Sequence, residues 1–417
     1  MRSIGDRNSE RHETPTRFQS LRKRYRSGLH YLGGLIIFLI GIQILTGCLL
    51  VLYYRPNVRD AHDSVAGIMT DIPFGWIVRS LHHTSANLLV FVLALHALTV
   101  LLSKTFRGKR APTYFTGLLL LLLTLFMCFS GYLLPWDVLS VAAIAVGTGL
   151  PREIPLIGPF ITELLRGDVA VGSATLSRFF AFHICVTPLA LSIALSLHLV
   201  FIKKLGFYSP PGTDKKRIPY FPDFMLRQST VWLLVFAFLV TWAILSPVGL
   251  RAEGDPLAPA PEGIRPEWYF LAAYEALKLG GNLTLLSSVG VTAELLTLIV
   301  FGIVGAVFVA MPVLDRKGRG RVWTGFVLAA TGLFIALTFV AMGRPDPQID
   351  AAAGVAERVA DFRTRTVGYL APFWLSVVAV TWFLGSSIRL RDRITAFKMP
   401  GTFREKDRDD PLSAEDE

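Results

Sequence analysis

Cysteine is nearly absent from this 417-residue chain. Only Cys48, Cys128 and Cys185 occur, each inside an apolar run and none in a C-x-x-C pair. That excludes a disulfide scaffold, a cysteine zinc site, an iron–sulfur centre and a covalently attached c-type haem on a C-x-x-C-H motif. Charge is also sparse: Asp, Glu, Lys and Arg make up 18% of the residues, against roughly a quarter in a soluble domain. Apolar residues reach 52% and the mean hydropathy is +0.50, too apolar for a disordered chain. The net charge of +11 points to no nucleic acid, because it sits in the tails and loops of one face. What remains is a composition suited to lipid.

A helix that crosses a membrane needs about 20 mostly apolar residues. Eight stretches qualify, roughly Leu29–Tyr54, Trp76–Leu102, Tyr114–Leu134, Arg178–Ile202, Thr230–Val248, Thr292–Val313, Val322–Met342 and Val367–Ile388. The expected fold is an all-α integral membrane protein of about eight transmembrane helices. The first run is too long for the apolar core of a cleaved signal, so it reads as a retained helix. Both termini then lie on one side. With alternating spans, 29 of the 42 Lys and Arg fall on the tail side and 13 on the other, which marks the tails as cytoplasmic and suits a bacterial cytoplasmic membrane. The two long outer segments, Pro135 to Ser177 and Gly249 to Val291, hold apolar turns among Gly and Pro. Short helices along the membrane surface are expected there. The chain then divides into a basic tail over 1–28, a four-helix bundle over 29–205, a polar connection over 206–228, a second helical region over 229–342, and a last helix with its tail over 343–417.

A titratable side chain inside a span is a functional hypothesis by default. Four of the eight histidines fall in pairs inside two of these runs: His82 and His96 on the second, His183 and His198 on the fourth, at spacings of 14 and 15 residues. At about 100° and about 1.5 Å per residue, each pair climbs roughly 21 to 22 Å and returns close to the same face. Both runs go from outside to inside, so His82 is level with His183 and His96 with His198. Two bis-histidine sites stacked across the membrane result. Zinc would want mixed, clustered ligands, whereas two axial imidazoles in an apolar bundle suit haem iron, giving two non-covalent b-type haems. Gly33 and Gly47 on the first run, and Gly117 and Gly131 on the third, repeat at 14 residues. Small residues at that register let a broad haem approach closely. Arg79 and Arg178 are expected to meet haem propionates near the outer surface. His83, about 100° around from His82, is expected to make a structural or propionate contact.

The histidines, the glycine pairs and two outer segments together resemble cytochrome b of the quinol-oxidising bc complexes, over Leu29 to about Met342. Pro266-Glu267-Trp268-Tyr269 reproduces the family's P-E-W-Y signature of the outer quinol site, and Gly131-Tyr132-Leu133-Leu134-Pro135-Trp136-Asp137 looks like its counterpart. The 15-residue step, the P-W-D ending and Pro151 to Gly167 are similar to the photosynthetic-type branch, with its haem-bearing chain and its smaller P-E-W-Y chain fused here. The resemblance implies that Glu267 acts as a base toward quinol. A carboxylate in an apolar setting has its pKa raised toward the working pH, which suits that task. Tyr269, Tyr132, Pro135, Trp136, Pro266 and Trp268 are implied around the outer quinol, with Pro266 opening a short helix at its first position. Two departures stand out. Tyr31 replaces the cysteine that attaches an extra haem in the photosynthetic-type branch, so no covalent third haem is expected. Lys203 and Gln228 replace the inner-site His and Asp of the respiratory branch, which leaves Lys203, Lys204, Asp223 and Arg227 as inner quinone-site candidates.

The implied activity is quinol oxidation outside, with one electron to a Rieske iron–sulfur protein and on to a c-type cytochrome or equivalent acceptor. The other electron crosses through two b haems to an inner quinone site, coupled to proton translocation. The resemblance also implies a homodimeric complex in membrane lipid. A dihaem b membrane anchor of a dehydrogenase or hydrogenase shares the four histidines but has no need of P-E-W-Y or paired glycines. A transporter without cofactor would show no b-type absorbance.

Overall fold

A computed structural model describes residues 31–206, 224–260, 263–281, 291–315 and 320–343. Among these, seven helices are long and apolar enough to cross a membrane. They are α1 (Tyr31–Val51), α3 (Gly75–Ser103), α4 (Ala111–Tyr132), α7 (Ser173–Leu205), α8 (Met225–Leu245), α10 (Ala293–Leu314) and α11 (Gly320–Gly343). Four shorter helices join them: α2 (Ala61–Thr70), α5 (Val138–Gly149), α6 (Gly158–Arg166) and α9 (Trp268–Gly281). No strand forms among the described residues, and the protein is an all-helical integral membrane protein. The expected eighth span, Val367–Ile388, lies outside the described residues, as do both tails.

Local chemistry sets the element boundaries. Pro112 sits in the first turn of α4 and Pro159 in that of α6, where a missing N–H costs no helical bond. Asp137 caps α5 by accepting from Ser140 N at 2.8 Å, and Thr292 caps α10 by accepting from Leu295 N at 3.1 Å. Gly167 ends α6 at φ 77°, a conformation open to glycine. At the α2–α3 turn a Cβ on Gly75 would overlap the Ile68 carbonyl, so only glycine lets the surface helix fold back so tightly.

Helices α1, α3, α4 and α7 make the bundle, with α1 on α3 and α4 on α7; α8 lies against α1 and α3. Leu35, Leu39, Leu81, Leu88, Val231 and Leu239 form its main core. Following the sequence-based orientation, we call the His82 end outer and the His96 end inner. The outer end is closed by Leu133, Trp136, Ile144, Leu176 and Phe179, and the inner end by Phe106, Tyr114, Met311 and Val327. Beside the inner cluster, Asp315 is fully buried and paired with Arg107. Outward-facing side chains such as Leu45 (70% exposed), Leu52 (72%) and Leu233 (69%) stay uncovered. So much bare apolar surface is a liability in water and fits a lipid environment.

Candidate functional site

The structure brings His82 and His183 together across the bundle, with ring centroids 6.3 Å apart and planes at 77°. An imidazole-bound metal lies about 2 Å from its nitrogen, itself about 1 Å from the ring centre, so rings about 6 Å apart leave room for one metal atom. At the inner level His96 lies close enough to His198 to feel its charge. The unequal spacings are reconciled inside α7. Residues Phe182–Val186 form a π turn closed by Thr187 N–H on the Phe182 carbonyl. Such a turn takes one residue more than an α turn, so the 15-residue step from His183 matches the 14-residue step from His82. Pro188, lacking an amide hydrogen, removes one α-type bond just beyond it.

Three of the four glycines lie against these imidazoles. A Cβ on Gly47 would fall 3.3 Å from His82 Cε1, and one on Gly117 would fall 3.3 Å from His198 Cε1. One on Gly131 would overlap the His183 ring, whereas one on Gly33 meets nothing within 4 Å among the described residues. The residue before each of the three carries a hydroxyl. Thr46 Oγ1 lies 2.8 Å from His82 Nδ1, Thr116 Oγ1 lies 2.9 Å from His198 Nδ1, and Ser130 Oγ lies 3.2 Å from His183 Nδ1. Each hydroxyl donates to a carbonyl of its own helix: Thr46 to Ile42 at 2.7 Å, Thr116 to Thr113 at 3.0 Å, and Ser130 to Met127 at 3.1 Å. It therefore accepts from Nδ1–H. His183 Nδ1 also lies 3.1 Å from the Met127 carbonyl, which can only accept. Carrying the proton on Nδ1 leaves each Nε2 lone pair free for a metal.

Glu267 stands at the outer end, its Oε1 3.1 Å from His83 Nε2. The two residues line a cavity of about 470 Å³ with Asn87, Phe91, Trp242 and Arg251. Burial pushes the Glu267 carboxyl up. The charge and hydrogen bond of His83, together with Arg251, outweigh that and hold it below the ordinary carboxylate value. The expected raised pKa is thus corrected: His83 and Arg251 together reverse the effect of desolvation. The Tyr269 hydroxyl donates to Cys128 Sγ, and burial keeps this phenol well above its ordinary pKa, hence protonated. Tyr132 lies close enough to feel the Glu267 charge. Trp268 Nε1 donates to Asn87 Oδ1 at 2.9 Å. Helix α9 starts at Trp268, with Phe270 N donating to the Glu267 carbonyl at 2.8 Å, so Pro266 precedes the helix and does not open it.

Other sequence candidates fall as follows. Trp136 is 2% exposed in the outer core cluster, and Pro135 immediately precedes it in the turn after α4. Arg79 Nη1 donates to the carbonyls of Val248 at 2.7 Å and Gly249 at 3.2 Å. Arg178 donates to Glu163 O at 3.1 Å and to Leu164 O. Both guanidinium groups stand at the outer end and tie down its loops. At the inner end Gln228 is 2% exposed with its Nε2 directed at Tyr31 O, Arg227 is partly exposed and Lys203 exposed. Asp223 lies outside the described residues. Sequence reasoning missed Thr46, Thr116, Ser130 and the Glu267 partnership of His83. The hydroxyl-glycine dipeptides were a legible signal for the first three.

Comparison with known proteins decides the family. Residues 23–206 match the family described as cytochrome b/b6/petB, and residues 253–357 match cytochrome b(C-terminal)/b6/petD. The cytochrome b6 proteins of Gracilaria tenuistipitata var. liui and Porphyra purpurea are each 41% identical over 179 residues, 43% of this chain and 83% of theirs. The chain belongs to the cytochrome b/b6 family. A cytochrome bc complex cytochrome b subunit from Chlorobaculum thiosulfatiphilum is 38% identical over 297 residues, 69% of this chain. The alignment spans 66% of that relative's length. A solved structure titled "Hyperthermophilic respiratory Complex III" superposes with a TM-score of 0.65 at 26% identity, covering 83% of this chain and 92% of that one. This cytochrome b thus carries both halves of the family in one chain, and membership brings b-type haem binding with it. The facing imidazoles, their free Nε2 atoms and the glycine cradles fit that cofactor.

Proposed function

We propose that this cytochrome b is the electron-transfer subunit of a proton-translocating quinol:cytochrome c-type oxidoreductase. The facing of His82 on His183, matched at the inner level by His96 and His198, supports this reading most directly. His82 with His183 and His96 with His198 would hold two b haems, which when bound supply one-electron transfer across the membrane.

At the outer site Glu267 takes the quinol proton. Its depressed pKa keeps it ionised and ready as acceptor, and the adjoining cavity, which His83, Asn87 and Arg251 also line, offers the proton a way toward the outer surface. Tyr269, held protonated, serves as a hydrogen-bond donor; Tyr132, Pro135, Pro266 and Trp268 frame the ring, and Trp136 supports that frame from the core. Arg79 and Arg178 balance propionate charge at the outer end. Lys203, Arg227 and Asp223 are the inner proton-delivery candidates. A Rieske protein and a c-type cytochrome are required as partners, since the chain has no centre to take the first electron. The complex is a homodimer in a bacterial cytoplasmic membrane, tails inside.

Purified protein should hold two low-spin b haems, and His96→Ala should lose one of them. Glu267→Gln keeps shape and removes the base, so it should cut turnover about 10²- to 10⁴-fold with haem content unchanged. One haem in the wild type, or full quinol oxidation by Glu267→Gln across the pH range, refutes the corresponding part.

A further inference from the structure

The hydroxyl-glycine pair recurs at three of four equivalent positions and is broken at the fourth. Thr46-Gly47, Thr116-Gly117 and Ser130-Gly131 each place a glycine against an imidazole edge and a hydroxyl oxygen on its Nδ1–H. Gly33 is preceded by Leu32, which is 5% exposed in the main core, and His96 Nδ1 is buried with no hydrogen-bond partner among the described residues. Both outer imidazoles therefore have an acceptor on Nδ1, whereas at the inner level only His198 has one.

We infer that the Thr46, Ser130 and Thr116 hydroxyls set the donor strength of His82, His183 and His198, and that His96, which lacks such an acceptor, is the weakest donor of the four. The inference rests on the two-haem reading above. An acceptor on Nδ1–H shifts electron density toward Nε2 and raises its basicity. A more basic axial imidazole favours the ferric form and lowers the reduction potential; a missing acceptor raises it.

Potentiometric titration of the purified complex, followed at the b-haem absorbance bands, tests this. Thr46→Val and Thr116→Val keep the branched shape and delete the oxygen. Each should shift the ferric–ferrous equilibrium of its own haem toward ferrous by about tenfold, equivalent to about 59 mV upward for one electron. Unmoved potentials in both valine variants, with two haems retained, overturn the inference. A wild-type chain with fewer than two haems overturns the two-haem reading itself and takes the inference with it.

Discussion

Removing the imidazole of His83 should move the acid limb of quinol oxidation to higher pH. Glu267 works as a base only when ionised, and two opposed effects set the pH at which it ionises. Burial favours the neutral acid, while the His83 charge and hydrogen bond at 3.1 Å, with Arg251 behind, favour the carboxylate and prevail. An opposite charge that close lowers a carboxyl pKa. The His83 side chain is 38% exposed and the Glu267 side chain 16%, so solvent screens the pair only in part. In His83→Ala desolvation is left unopposed except by Arg251, and the carboxyl pKa rises. His83→Gln, which keeps a donor without the charge, should give a smaller rise. The assay is kcat/KM for quinol against pH, with haem content confirmed because His82 is the neighbouring residue. An acid limb that stays in place, or moves to lower pH, in a fully haem-loaded His83→Ala protein refutes the argument. The same sign applies to stability. A depressed carboxyl pKa contributes stability present above its unfolded value and lost as pH falls through the folded one.

Gly131→Val should displace His183, because even a Cβ there overlaps the ring; spectra of the purified variant should show the outer haem lost and the inner kept. Gly33→Ala, with nothing within 4 Å of its Cβ, should retain both haems. No covalent haem should attach near Tyr31, which has no thiol, so a haem-stained band at the mass of this chain after denaturing electrophoresis would contradict the assignment.

Much of this protein is legible from sequence because its strongest signals are local. Low charge and long apolar runs dictate spanning helices, and the histidine and glycine repeats follow from the rise and turn of a single helix. P-E-W-Y carries its meaning in four consecutive residues. The sequence alone therefore determined the membrane class, the two levels of paired imidazoles and the family. Neighbours across helices have no such local signature. His83 and Glu267 are 184 positions apart, and only packing brings them together and reverses the Glu267 pKa shift. The extra residue between His183 and His198 reads as a mismatch until the π turn absorbs it. Whether a serine or threonine beside a glycine touches an imidazole depends on the close approach of α1 to α3 and of α4 to α7. Helical periodicity is a property of one segment, while the partner of a buried polar atom is set by how several segments pack, and that only the tertiary structure decides.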